Sequence, residues 1–263
     1  MSADPQLEAT MARKWLIGHL RASDLPEATV LALILERCAA TKPCRSPACA
    51  ACGLAFQAAA VSIVERFIRE PARSIRGRMH ASTIVPGTHF VAPDALTVEA
   101  ISGVGAEIAN AFERCDLPPA IIGLETSFNE DKTGASDPHW CPHGHSLGQD
   151  WLSDATVRAL REAFPKSHHV QRPVRVDLLD DDERARRYPF KSERSRRVTE
   201  WSESDGRNRH RVTRHRPMRP DQATRLALVE HQFGFHRRLV FHGIDEDAAC
   251  RDLKGLGWPR DGP

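Results

Sequence analysis

Tyrosine is almost missing from this chain: Tyr188 is the one instance among 263 residues. Apolar residues are also sparse, at 41% of the total, yet they gather in periodic segments, so a packed core is expected over roughly the first 180 positions. No apolar run approaches the ~18–20 residues that a membrane-spanning helix needs, and no membrane span is expected. The stretch from Met1 to Thr10 is acidic and polar, without the basic-then-apolar layout of a secretory signal. These absences lead us to expect a cytoplasmic protein with reduced thiols. Its seven cysteines then read as ligands or bystanders rather than as disulfides. No internal repeat is visible.

What is present is a sequence of local patterns with changing period. Helical spacing of apolar residues predicts helices over about Pro5–Arg21, Pro26–Cys38 and Gly53–Arg69. Strand-like runs follow at Met79–Pro86, Ile121–Phe128, Trp140–Leu147 and Val174–Leu178, with helices expected over Pro93–Cys115 and Trp151–Phe164. Asn129 to Asp137 is a polar turn of the right length to join two antiparallel strands. Asp180, Asp181 and Asp182 place negative charge at the start of a further helix carrying Tyr188. Ser202–Pro220 reads as a linker or flexible arm, Asp221–Phe235 as a helix, Leu239–Phe241 as a short edge strand, and the tail from Lys254 as loose. The expected fold is α+β, with an antiparallel central sheet and flanking helices behind a helical N-terminal part. The expected division is 1–76, 77–201 and 202–263.

Four groupings carry chemistry. Cys38, Cys44, Cys49 and Cys52 fall within 15 residues and suit a tetrahedral thiolate site, read as a structural zinc clip, with an iron–sulfur cluster as the alternative. His143 and His145 stand at i and i+2, which on a strand puts both imidazoles on one face. There they could hold a divalent ion with a carboxylate from a neighbouring strand. The alternative is two loop histidines, since Pro142 and Gly144 favour irregular backbone. His139 is either a further ligand or simply exposed. Tyr188 and Lys191 at i and i+3 share a helix face, so the ammonium could lower the phenol pKa or stabilise charge on a phosphate. Finally, from Arg184 to Arg219 there are 13 Arg and Lys against 4 Asp and Glu. That density points to a polyanionic partner.

Taken in order, these motifs resemble those of the HUH endonucleases, the rolling-circle replication initiators of plasmids and phages. Ala81-Ser82-Thr83-Ile84-Val85-Pro86 is similar to their first motif. Glu125-Thr126-Ser127 followed by Trp140-Cys141-Pro142-His143-Gly144-His145 is similar to the second, and Tyr188 to Lys191 to the third. The resemblance spans roughly residues 38–200. It implies that His143, His145 and Glu125 hold Mg²⁺ or Mn²⁺, and that Tyr188 attacks a phosphate of single-stranded or origin DNA beside Lys191. It also implies strand rejoining and possible work with host replication machinery. Arg187, Arg194, Arg196, Arg197, Arg209 and Arg211 would contact phosphates, and Trp140 and Trp201 would either stack on bases or lie in the core. Gly144 departs from the pattern: the family has a bulky apolar residue there, and glycine is expected to loosen the metal strand. A zinc-containing DNA-binding protein without catalysis and a single-tyrosine transposase or relaxase relative are the competing classes.

Overall fold

The computed structural model describes residues 4–71, 78–179, 183–192, 194–204 and 208–259. Three helices open the chain. α1 (Pro5–Arg21) is capped by the Asp4 carboxylate, which accepts from the Gln6 amide, and has proline in its first turn. α2 (Pro26–Glu36) also starts at proline. α3 (Ala50–Val64) runs on through a wider turn at Glu65–Arg69. The three pack through Leu16, Leu20, Leu31, Leu35, Phe56, Ala60 and Ile63, all buried. Among the described residues, Ala50–Arg69 is the one helix long and apolar enough to cross a membrane by length and composition. Its inner face is spent in the core, at Phe56, Ile63, Val64 and Ile68.

The remaining elements are β1 (His80–Ile84), α4 (Val98–Arg114), β2 (Ala120–Asp131), β3 (His139–Gly148), α5 (Asp154–Ala163), β4 (Val174–Leu178), α6 (Glu183–Arg187), β5 (Ser195–Ser204), β6 (Asn208–Pro217), α7 (Pro220–Phe233), β7 (Leu239–His242) and α8 (Glu246–Gly255). The chain is therefore α+β, as expected. Among the described residues, seven strands form one sheet in the order β4-β1-β3-β2-β5-β6, with β7 also on β2. β2 is the hub. Along one edge it pairs antiparallel with β3 from Ala120 to Asn129. Its other edge is shared: β7 takes Ala120–Gly123 and β5 takes Phe128–Asp131.

Four details differ from the sequence expectations. β5 runs parallel to β2, so the sheet is mixed rather than antiparallel. The expected linker at Ser202–Pro220 is instead mostly the second half of a hairpin, β5 and β6, paired from Ser195↔Pro217 to Ser204↔Asn208. A boundary at 201/202 would cut β5, and one continuous cluster of buried apolar side chains runs from Leu16 to Trp258. Within the described part of the tail beyond Lys254, Trp258 is packed, 7% exposed against Phe56 and Phe235. Asp180, Asp181 and Asp182, and the 76/77 boundary, involve residues outside those described.

α4 covers one face of the sheet with Ile101, Val104, Ile108 and Phe112. A Cβ on Gly144 would lie 2.7 Å from Ile108 Cδ1 and 2.9 Å from Ile122 Cγ2. The space a side chain at 144 would need is thus filled from α4 and β2, and Gly144 sits in regular ladder opposite Leu124 and Ile84. Gly144 does not interrupt the strand pairing. Pro142 is tolerated for a related reason. The Trp140 amide donates to Val91, away from β2, and Pro142 shares that parity. Its missing N–H therefore falls beyond the end of β1, where no strand needs it.

Candidate functional site

The uncovered face of β2 and β3 carries the site. Glu125 stands directly opposite His143, and Gly123 opposite His145. The alternation of the two strands delivers one carboxylate and two imidazoles to one patch. Glu125 Oε2 lies 3.1 Å from His145 Nε2 and 3.7 Å from His143 Nε2. Donors about 2.1 Å from a shared ion at 90–120° stand about 3.0–3.6 Å apart, close to these separations, and the three side chains could hold a metal ion. The other ring nitrogens are engaged: His143 Nδ1 with the Cys141 carbonyl at 2.9 Å, His145 Nδ1 with Thr83 Oγ1 at 2.9 Å. These contacts fix both rings with Nε2 facing Glu125. Thr83, on β1, belongs to the motif in which the sequence marked a strand without naming a role for this side chain.

Electrostatics prepare the same chemistry. Burial pushes His143 down to about 4, so near neutral pH its ring keeps the lone pair a metal requires. Burial alone would raise Glu125, but the hydrogen bond to His145 and the charge of Lys191 bring it down to about 2. Lys191 is itself part-buried; Glu125 and Tyr188 outweigh its desolvation and hold its pKa up. Cys141, on the same floor, is pushed up to about 12 by burial and stays a thiol.

Tyr188 reaches this patch, though not from a helix. α6 stops at Arg187, and Tyr188–Phe190 form a single 3₁₀ turn after which Lys191 is extended. Pro189 accounts for the break, since it supplies no N–H to continue a helix. The i, i+3 pair still meets: Lys191 Nζ is 4.2 Å from the Tyr188 ring centroid and 3.3 Å from Glu125 Oε2. The Tyr188 and His145 rings are 4.8 Å apart at 75°, with the tyrosine half exposed.

Two residues unnoticed in the sequence seat the turn. A Cβ on Gly123 would lie 2.0 Å from the Pro189 carbonyl oxygen, so only glycine lets the turn press onto β2. Buried Arg238 donates to the carbonyls of Leu124 and Lys191, at 3.4 and 2.9 Å, bridging the turn to β2 between the stretches paired with β7 and β5. No local sequence signal marks either residue; their roles depend on contacts 47 to 114 positions away.

The patch opens into a trough of about 1100 Å³. Its lining includes Lys191, Arg172, Arg175, Arg197 and Arg211, with Glu125, Glu130 and Asp131 as the acids. The arginines marked in the sequence divide. Arg197 and Arg211 line the trough, Arg211 paired with Asp131 at 2.5 Å. Arg194 is part-buried against Glu230 and the Pro47 and Ala48 carbonyls, and Arg196 against Glu130. Both join elements of the fold. Arg187 pairs with Glu183 outside the trough, and the Arg209 side chain lies outside the described residues. Trp140 is core, its indole N–H donating to Pro93 at 2.9 Å, whereas Trp201 is 47% exposed. His139 is buried away from the triad, bonded to the Asp137 carbonyl.

The cysteine cluster forms a second site. Sγ–Sγ separations are 3.5 Å (Cys38–Cys52), 3.6 Å (Cys44–Cys52) and 3.7 Å (Cys49–Cys38). Tetrahedral Zn–S bonds of about 2.3 Å would put sulfurs about 3.8 Å apart. The cluster could bind a metal such as zinc, between α2 and the start of α3. No disulfide joins any of the seven cysteines. Comparison with protein-family models, curated proteins and solved structures gives no match to this chain.

Proposed function

We propose that the chain is a metal-dependent single-strand DNA nickase and strand transferase of the HUH kind, acting in replication initiation. The observation that carries the reading is the convergence of Glu125, His143 and His145 on one strand face, with the chain's one tyrosine and Lys191 against them. Mg²⁺ or Mn²⁺ held by that triad would supply Lewis-acid polarisation of a phosphate. The residues do the rest. Thr83 and the Cys141 carbonyl hold the imidazoles in the ligating orientation. The Tyr188 oxygen attacks phosphorus as the bond to the 3′ oxygen breaks, giving a 5′-phosphotyrosine, and the phenol proton ends on the released 3′-hydroxyl. Lys191 offsets charge gathering on the phosphate. Attack of a 3′-hydroxyl on the phosphotyrosine reverses the step and rejoins strands.

The test pairs cleavage with binding. A His143→Ala, His145→Ala double variant should lose Mn²⁺-dependent nicking of labelled single-stranded DNA and keep most of its binding. Undiminished nicking would remove the metal assignment. Binding without nicking by the unaltered chain would favour the non-catalytic DNA-binding class.

A further inference from the structure

The trough leaving the metal triad has a chemically distinct far half. Along β3 from His143 back to His139 is about 14 Å at roughly 3.4 Å per residue. There the floor is Asn129 and His139, paired across the strands, with Asn129 Nδ2 3.3 Å from His139 Nε2. Rings gather on one side. Phe90, half-buried, packs on His139 at 4.8 Å and on exposed His169 at 4.7 Å, and the two histidines are 5.2 Å apart.

The opposite side is one face of the β5–β6 hairpin. Register places Thr199 across from Thr213, their hydroxyls 3.0 Å apart, and Arg197 across from His215. Arg211 follows, held by Asp131. Rings with an amide thus face guanidinium and hydroxyl groups across a trough larger than the ~300–1,000 Å³ of small-molecule sites. Stacking faces suit bases, and arginines suit phosphates.

We propose that the trough holds one polynucleotide strand edge-on, bases against Phe90, His139 and His169, and sugar-phosphate against Arg197 and Arg211. Asn129 reads the edge of one base a few nucleotides from the reacting phosphate. The inference rests on the nickase reading and adds the strand's orientation and a base-reading subsite.

The test uses the full chain as Tyr188→Phe, which binds without covalent chemistry, with single-stranded oligonucleotides each carrying one abasic position. Anisotropy is read over a series of salt concentrations. Arg197→Ala and Arg211→Ala should each lower the slope of log affinity against log salt by about 0.7–1. Phe90→Ala should weaken binding roughly 5- to 150-fold with the slope unchanged, and that loss should vanish when one particular nucleotide is abasic. Phe90→Leu, which keeps bulk without a ring, should behave in the same way and guards against misfolding. A slope change in the Phe90 variants, no weakening, or an equal loss on every abasic oligonucleotide would overturn the orientation. Manganese-dependent adduct formation by the unaltered chain is read separately. Adduct formation without the predicted discrimination removes only the orientation; discrimination without an adduct removes only the nickase reading.

Discussion

His143 shows how much of the site is decided by single positions. Its ring refuses a proton in the fold that it would accept at about 6.5 in the unfolded chain, so its contribution is complete above that pH and lost as pH falls toward 4. Buried His80 and His139 and part-buried His231 shift in the same direction. Glu125 acts in a lower window, its contribution present above 4.5 and lost toward 2. The urea midpoint of the metal-free protein should therefore fall as pH drops below 6.5, and His143→Gln should make that fall shallower. An identical profile would contradict the neutral buried ring. Gly144 makes a second test. Adding bulk with Gly144→Val should cost about 1–3 kcal/mol in stability through contact with Ile108 and Ile122. Adding Ile108→Ala should recover part of it, and additivity in that double variant would deny the shared space. The triad was legible because a period of two and a neighbouring strand suffice to align it. Gly123 was not, because its need for no side chain comes from Pro189, 66 positions later.

At the scale of elements, the β5–β6 hairpin is the main departure from the sequence pattern. Its β6 strand reads Asn208-Arg209-His210-Arg211-Val212-Thr213-Arg214-His215-Arg216-Pro217, with too little apolar content to mark a strand alone. Pairing with β5 and ion pairs such as Arg214–Glu200 at 3.1 Å make it one. A run of arginines signals charge but not which of them face inward, so Arg194 and Arg196 were indistinguishable from Arg197. Arg194→Met should cost about 3–5 kcal/mol in stability, because Glu230 is left part-buried and unpaired. Equal stability would deny that bridge. The cysteine spacing, by contrast, named its site from sequence because short loops force the thiols together. Zinc removal should lower the melting temperature, and Cys49→Ser should abolish stoichiometric zinc in elemental analysis. Full stability without metal would make the cluster incidental.

For the whole molecule, the three opening helices, the sheet and the C-terminal helices share one core. The tyrosine turn is seated through that shared structure. Arg238 precedes β7 and reaches the Lys191 carbonyl, while Gln57 on α3 donates to the Arg187 carbonyl at 2.9 Å. Arg238→Met should consequently slow nicking far more than it weakens DNA binding, and equal losses in both would assign Arg238 to stability alone. The fold class could be read from alternating helix and strand periods, but the way β2 divides one edge between β7 and β5 depends on long-range pairing that no local pattern encodes. The central claim is that Tyr188 and the Glu125–His143–His145 triad act as one site. Intact-mass measurement of the chain incubated with single-stranded DNA and Mn²⁺ tests it most directly. The account predicts a DNA adduct on Tyr188 that disappears in Tyr188→Phe and on chelation of Mn²⁺; an adduct that survives Tyr188→Phe, or none with the unaltered chain on cleavable origin DNA, would contradict it.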